Sequence, residues 1–362
     1  MPSAGDSSST QGGGKVGVAD IAQKAGVSLG TVSNYLNYPN RVSQTLKERI
    51  KAAIDELGYV PRPARGAAAL TGQSTIGIIM TDIEHSLFTA VFEGAQEVCE
   101  DDDLQLIGAN AFSDSRRQSS LLKLFYSLGV KGVILCSVVD CEADMEWARS
   151  VGLNVVLVDH APPSGGPQAC SVLEDNDSVG VMAADHLLAA GCKRIAFVAH
   201  SFDYQSIYDR YRGVERALLG RSGINLSVID SHGIMEEDGT AVGATINKLG
   251  PQEVPDGIVA GTDNLGIGII TALRDGGRYR VPKDIKVIGT EGVRLDSYPP
   301  VPLSTVAAPG IDMGRKAAAL LLDEIGNRRH VHGTVLIKPT LVPRASTFVG
   351  SQSDIRKINR TT

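Results

Sequence analysis

The stretch Val18 to Asn37, VADIAQKAGVSLGTVSNYLN, decides how the rest of the chain is read. Val18, Ile21, Ala22 and Ala25 recur at i, i+3, i+4 and i+7, the apolar stripe of a short helix. Gly26 follows at once and supplies the left-handed backbone that a sharp exit needs. Ser28 stands where an N-cap oxygen catches the free amides of a second helix. In that helix Val32, Tyr35 and Leu36 form a stripe facing the first, which leaves Leu29, Gly30, Thr31, Ser33 and Asn34 outside. Two short helices joined by a glycine turn, with small polar residues outward, read as a helix-turn-helix whose second helix enters a DNA major groove. A helical hairpin that only packs is the alternative on this stretch alone.

Beyond it, Asn40-Arg41-Val42-Ser43 leads into a third helix with Leu46, Ile50, Ala53, Ile54 and Leu57 on one face. Gly58 closes that helix and Tyr59-Val60-Pro61 follows. The pieces DIAQKAGVS, TVSNYLN, RVS and GYVP, in their ungapped spacing, resemble the head of the LacI/GalR family of bacterial transcription regulators. The resemblance runs from about residue 16 to 349. It implies base reading at Leu29, Gly30 and Asn34. Many relatives carry an arginine where Asn34 stands; arginine pairs bidentately with guanine, whereas asparagine favours adenine. Leu29 and Gly30 offer only apolar contact and close approach. Ser28, Thr31, Ser33 and Asn37 are expected to hold phosphates, which fix register without reading sequence, and Arg41 and Ser43 complete the expected DNA-contacting set.

Composition agrees once its distribution is considered. Hydrophobic residues are 43% and charged residues 21% of the 362, as in a globular protein with sizeable cores. The net charge of −6 argues against a nucleic-acid binder, but Lys15 to Gly66 holds eight Lys or Arg against four Asp or Glu. The remainder from Ala67 is net −9. A basic head on an acidic body suits a protein that touches phosphate at one end only. The five cysteines (Cys99, Cys136, Cys141, Cys170, Cys192) are odd in number and scattered, which reads as buried thiols in a reducing compartment, neither a disulfide framework nor a metal site. No apolar run reaches membrane-span length, and the N-terminal Ser/Gly tail has no secretory character, so a cytoplasmic location is expected.

The expected division is a disordered tail over 1–14, a helix-turn-helix head over 15–60, a hinge linker over 61–73, a body over 74–349 and a C-terminal tail over 350–362. In the family the linker becomes a hinge helix whose leucine wedges into the minor groove. That position falls on Ala68, with Leu70 the nearest leucine. From Ser74 onward, short apolar runs such as IGIIM (76–80), GVILC (132–136), VVLV (155–158) and IAFV (195–198) alternate with helical stretches. The helices are expected near 86–101, 115–128, 177–190, 207–221, 263–276 and 310–326. Continuous apolar strands alternating with helices indicate parallel sheets covered on both faces. The expected fold is therefore α/β: a small all-α helix-turn-helix head on a two-lobed, doubly wound parallel-sheet body, like the periplasmic sugar-binding proteins. By resemblance the chain crosses between lobes near 171, 303 and 333.

Polar residues just after strands are the candidate ligand contacts: Asp82, Asp159, Arg210 (in YDRYRG), Thr262, Asp263 and Glu291. The family usually has Asn-Asp at 262–263 and Asp at 291. An arginine among carboxylates suits a polyol, because acids accept hydroxyls and the guanidinium donates in a fixed fork. Phe88 and Tyr208, with Tyr204, could supply a stacking face. Each has a plainer alternative: Asp82 and Asp159 finishing strands, Asp263 as a helix N-cap, Arg210 paired with Asp209 or Glu215, and the aromatics as core. No catalytic motif and no closely spaced His/Cys set appears, so no enzyme, cofactor or metal is expected. The function implied by the resemblance is an effector-responsive regulator, a repressor in family terms, acting as a homodimer on near-palindromic operator DNA, with a sugar or sugar phosphate as the default effector and a nucleoside as the alternative. The absence of apolar heptads after 349 argues against a tail-built tetramer. A solute-binding protein is the alternative, which the basic head disfavours.

Overall fold

The computed structural model describes residues 16–37, 41–59, 74–163, 169–202, 204–292 and 301–348. It divides into two compact units, residues 1–67 and 68–362. In the first, α1 (Val18–Ala25), α2 (Leu29–Asn37) and α3 (Gln44–Leu57) bury Ile21, Ala22, Ala25, Val32, Val42, Ile50 and Ala53 together. Gly26 and Gly58 end α1 and α3 with φ of 61° each, the left-handed region that costs glycine nothing. The Ser28 hydroxyl accepts from the Thr31 amide at 3.1 Å, capping α2. Arg49 of α3 reaches back to the Ala25 carbonyl at 2.6 Å, so one side chain satisfies the end of α1 and locks the turn to the third helix.

The body holds two six-stranded sheets. The first contains β1 (Ser74–Met80), β2 (Leu104–Asn110), β3 (Gly132–Cys136), β4 (Asn154–Val158), β5 (Ser171–Glu174) and β11 (Thr334–Ile337), in the order β11-β5-β4-β3-β1-β2. The second contains β6 (Arg194–Ala199), β7 (Asn225–Asp230), β8 (Gly257–Ala260), β9 (Lys286–Gly289), β10 (Ser304–Ala307) and β12 (Thr340–Val342), in the order β12-β10-β9-β8-β6-β7. Among the described residues only the β10–β12 pairing is antiparallel. The expected α/β class, helical head and doubly wound parallel sheets are what the chain adopts.

Helices cover both faces of each sheet, as unbroken apolar strands demand. On the first sheet, α4 (Ser86–Asp101) and α11 (Gly310–Gly326) pack on one face, and α5 (Ser115–Leu128) and α6 (Glu142–Val151) on the other. On the second, α7 (Asn176–Ala189) and α8 (Gln205–Leu218) oppose α9 (Glu236–Ile246) and α10 (Asp263–Gly276). Trp147 of α6 packs edge-on against Tyr126. The chain leaves the first sheet after Glu174, returns between Ala307 and Gly310, and leaves again between Ile337 and Thr340. Each passage is a few residues later than 171, 303 and 333.

β5, β7, β10, β11 and β12 are absent from the sequence reading; their apolar runs are at most three residues long. β7 (NLSVID) and β11 (TVLI) are edge strands with one face in solvent, and β5 (SVLE) ends on a glutamate.

Three helix pairs meet backbone to backbone through reciprocal glycines. A Cβ on Gly94 would lie 2.0 Å from the Ile311 carbonyl, and one on Gly314 2.0 Å from that of Val91, joining α4 to α11. Gly239 and Gly268 play the same part between α9 and α10, as do Gly180 and Gly213 between α7 and α8. At Gly180 the clash would be with the Arg210 carbonyl, at 1.9 Å. Gly180→Ala therefore must push α8 away at the residue that carries the candidate arginine. It should destabilise the body by about 3 kcal/mol or more, the upper end for overpacking. Gly326→Ala, with open space around its Cβ, should be neutral or slightly stabilising. Equal melting temperatures for both variants would contradict this packing.

Candidate functional site

On the head, α2 presents Leu29, Gly30, Ser33 and Asn34 to solvent, with Leu29 57% exposed despite its apolar side chain. Ser28 is exposed at the helix start, its hydroxyl also 2.8 Å from that of Thr31. Thr31 is half-buried, and Arg41 and Ser43 are exposed where the chain enters α3. Val32, Tyr35 and Leu36 take the opposite, core-facing side. An exposed face of small polar groups and one unsupported leucine is what a groove-reading helix requires and what a packing hairpin would not leave uncovered. Asn37 is the last residue of α2. Ala68 and Leu70 lie outside the described residues.

In the body, Arg210 is the organising group. It stands on α8, 5% exposed, and its donors are spoken for. Nε donates to Asn176 Oδ1 at 2.8 Å, Nη2 to Glu174 Oε2 at 3.1 Å, and Nη1 to the Gly261 carbonyl at 3.0 Å. Nη1 also lies 3.8 Å from Glu291 Oε1. The arginine thus pairs with Glu174 and Glu291, and with neither Asp209 nor Glu215. Glu174 ends β5 in the first lobe and Glu291 follows β9 in the second, so the guanidinium joins carboxylates from both.

His85 completes the cluster. It caps α4, its Nδ1 accepting from the Leu87 amide at 3.4 Å, which leaves Nε2 to face Glu291 Oε1 at 3.5 Å. Burial opposes its charge, but the hydrogen bond and charge of Glu291 outweigh that and hold His85 above the usual imidazole range. The converse applies to Glu291: burial works against its ionisation, yet His85 and Arg210 hold its carboxyl below the usual range. Asp159 terminates β4 in a left-handed conformation, φ 58°, with its amide donating to the Val172 carbonyl. Burial raises its carboxyl despite Arg210 and His85. Glu174 is pushed up to about 7, by burial first and by the neighbouring charges of Asp159 and Glu291, against the pull of Arg210. Its Oε1 is buried without a hydrogen-bond partner among the described residues.

The other sequence candidates are placed differently. Asp263 is fully buried and accepts from the Thr290 amide (2.7 Å), the Thr305 hydroxyl (2.9 Å) and the Gly292 amide (2.7 Å). That is a carboxylate holding the loop after β9, with no surface left for a ligand. Thr262, rather than Asp263, caps α10, accepting from the Leu265 amide at 3.2 Å. Phe88 is 3% exposed within the first-lobe core, which removes it as an open stacking face. Tyr208 is exposed, its ring edge-on to Phe202. Asp82 turns the chain towards α4 by accepting from the Glu84 amide. Glu174, Asn176 and His85 escaped the sequence reading. The signal available for Glu174 was a lone acid closing an otherwise apolar run, SVLE.

A cavity of about 410 Å³ opens beside this cluster, lined by Asp159, Glu174 and Asn176 and, from the start of α8, by Tyr204 and Asp209. Its polar lining combines three carboxylates with His160, Gln205 and Ser206, groups that can donate as well as accept.

Residues 18–62 match the bacterial regulatory proteins of the lacI family, and residues 184–347 match a periplasmic binding protein-like domain. The chain belongs to the LacI family. The transcriptional repressor PurR of Vibrio atlanticus is 28% identical over 333 residues, covering 91% of this chain and 98% of that protein. The ribose operon repressor of Haemophilus influenzae is 27% identical with the same coverage. Among solved structures, the regulator CelR in complex with cellobiose is 26% identical with a TM-score of 0.64, covering 91% and 99% of the two chains. The lac repressor dimer bound to operator, at 22% identity and TM-score 0.65 over 93% and 100%, shares the fold. This LacI-family chain is accordingly a DNA-binding transcriptional repressor with an effector-binding domain, and its relatives are repressors rather than enzymes.

The cluster carries a pH signature. Glu174 lies above its ordinary value of 4.5 in the folded state, so its contribution to stability is fullest below 4.5 and is lost as pH rises through about 7. Thermal unfolding across that interval should show wild type losing stability relative to Glu174→Gln. Parallel profiles for the two proteins would remove the perturbed carboxyl from the cleft.

Proposed function

We propose that this repressor binds a near-palindromic operator as a homodimer and that a neutral, polyhydroxylated ligand of the sugar class in the inter-lobe cavity modulates its affinity. What carries the effector assignment is the cavity lining: Asp159, Glu174, Asp209 and the Asn176 amide offer acceptors to hydroxyl donors. Asp209, and Glu174 above about pH 7, would oppose anionic ligands such as sugar phosphates. Tyr204 offers a ring face beside these acceptors. Arg210, behind Glu174 and Asn176, becomes available to ligand oxygens when those partners turn to hydroxyls. Cellobiose in the CelR complex is a ligand of this chemical kind.

The dimer reading is supported by apolar side chains at two of the four sheet edges. β2 leaves Ile107 exposed beside Phe112 and Ile83, and β7 leaves Val228 exposed. A second cavity of about 340 Å³ beside β2, lined by Met80, Ile83 and Phe92, would accept a partner's side chain. A two-fold dimer presents two recognition helices one DNA turn apart. Ligand in the cleft would bias lobe closure and through it the linker, a coupling of about 1–3 kcal/mol. No helix among the described residues is long and apolar enough to cross a membrane. A cytoplasmic site of action follows from operator binding.

Selection from a random duplex pool should recover a two-fold symmetric site with steep salt dependence. Asn34→Arg should then change preference at one base per half-site and leave the rest. An unchanged preference removes Asn34 from the reading set. With the operator in hand, neutral sugars should alter affinity roughly 5–150-fold while their phosphate esters should not. Arg210→Ala, checked for folding by circular dichroism, should bind operator and ignore the sugar. A retained response would displace the effector site from this cleft.

A further inference from the structure

Cys170 and His330 are 160 residues apart in sequence, yet their side chains touch: Sγ lies 3.1 Å from Nε2. His332 joins them, and one donor atom from each of the three falls within 4.8 Å of the others. We infer that the first lobe carries a divalent-metal site built from Cys170, His330 and His332 and suited to zinc. Zinc takes thiolate at about 2.3 Å and imidazole at about 2.0–2.1 Å, which puts tetrahedral donor atoms roughly 3.5 Å apart. The donor atoms, all within 4.8 Å of one another and two of them at 3.1 Å, stand close to that spacing.

Two further observations point to an ion and not to a chance contact. His330 Nδ1 is 2.6 Å from Asp323 Oδ2, so Nδ1–H donates to the carboxylate and the Nε2 lone pair is turned towards Cys170. A carboxylate behind a ligating histidine is the usual support of zinc sites, fixing the tautomer and raising ligand basicity. Independently, His332 Nδ1 is buried with no hydrogen-bond partner among the described residues, and Glu324 Oε2, one residue after Asp323, shares that condition. Buried polar atoms left unmatched are uncommon and costly. A metal bound through His332 Nδ1, with Glu324 in the fourth position, would satisfy both.

The donor set selects among metals. One thiolate and two imidazoles favour zinc or a similar late transition ion over magnesium or calcium, which require oxygen ligands. A nucleophilic role for the thiol is a poor fit, because Cys170 is fully buried and burial pushes its thiol up, the reverse of an activated cysteine. Binding would replace the thiol proton, releasing it to solvent as the metal–sulfur bond forms.

The position gives the ion a mechanical task. Cys170 precedes β5, the two histidines precede β11, and the Ser171 amide donates to the Gly333 carbonyl at 3.1 Å where these strands begin to pair. β11 is an edge strand held only by β5 in its sheet. A metal would clamp its first turn. The effector cavity, beside Glu174, lies at the opposite end of β5, so the clamp acts on first-lobe stability and not on effector chemistry.

The test uses the full chain without a polyhistidine tag, stripped with chelator and titrated separately with zinc and cobalt(II). The expected result is one bound equivalent, a thiolate-to-cobalt charge-transfer band, and a melting temperature raised several degrees by zinc. Cys170→Ser should abolish the band and the thermal shift. His332→Ala, at a half-buried loop position that leaves the core intact, should weaken zinc binding about tenfold or more while the apo protein stays folded. The inference is overturned if cobalt gives no thiolate band, if the band persists in Cys170→Ser, or if His332→Ala binds zinc as wild type does.

Discussion

A guanidinium removed from water must be surrounded by acceptors, because its five donors cannot be neutralised by deprotonation. Arg210 meets that requirement by drawing the ends of β5, β8 and β9 and the start of α7 to one point. Two of its carboxylate partners belong to different sheets, so the arginine fastens the first lobe to the second where the chain passes between them. The glycines at 180 and 213 make this possible by letting α7 and α8 approach at backbone distance, with the Arg210 carbonyl itself in the contact. Remove the arginine and Glu174 loses its counter-charge, while Glu291 keeps His85 and Asp159 keeps His85 and His160.

The same arrangement separates carboxylates that the sequence presents as equivalents. His85 and Arg210 both face Glu291 and hold its carboxyl below the usual range, whereas Glu174, buried and facing Arg210 without the histidine, is pushed up to about 7. Asp263 is set apart by another route: amides and a hydroxyl saturate it, and it shapes the loop that carries Glu291. Three acids that look alike along the chain therefore do three jobs, counter-ion, tunable acceptor and loop brace. The cavity wall that results carries Asp159, Glu174 and Asp209 beside neutral polar groups.

The head is governed by shorter-range rules. Its core residues lie between Ile21 and Ala53, and its turn is set by one left-handed glycine, one serine cap and the Arg49 side chain closing the end of α1. Local preference and tertiary packing agree there at every position, which leaves the outward face of α2 free of structural duty. Leu29 can be exposed on that face because nothing in the fold needs it buried.

From the sequence alone, the helical head, the alternation of strands with helices and most element positions were legible, because periodicity of 3.6 and runs of continuous apolar residues are local statements about which faces are buried. Val32, Tyr35 and Leu36 against Leu29 and Asn34 is one such statement, and GVILC as a fully buried strand is another. What needed the tertiary structure were contacts closed over long separations. SVLE and TVLI reveal themselves as paired strands only when the chain has crossed between lobes and returned. Glu174 becomes a partner of Arg210, and Cys170 of His330, only after such closure. Sequence patterning records the environment of a residue's neighbours along the chain; which acid meets which base is decided by strand order, and strand order is a property of the folded whole.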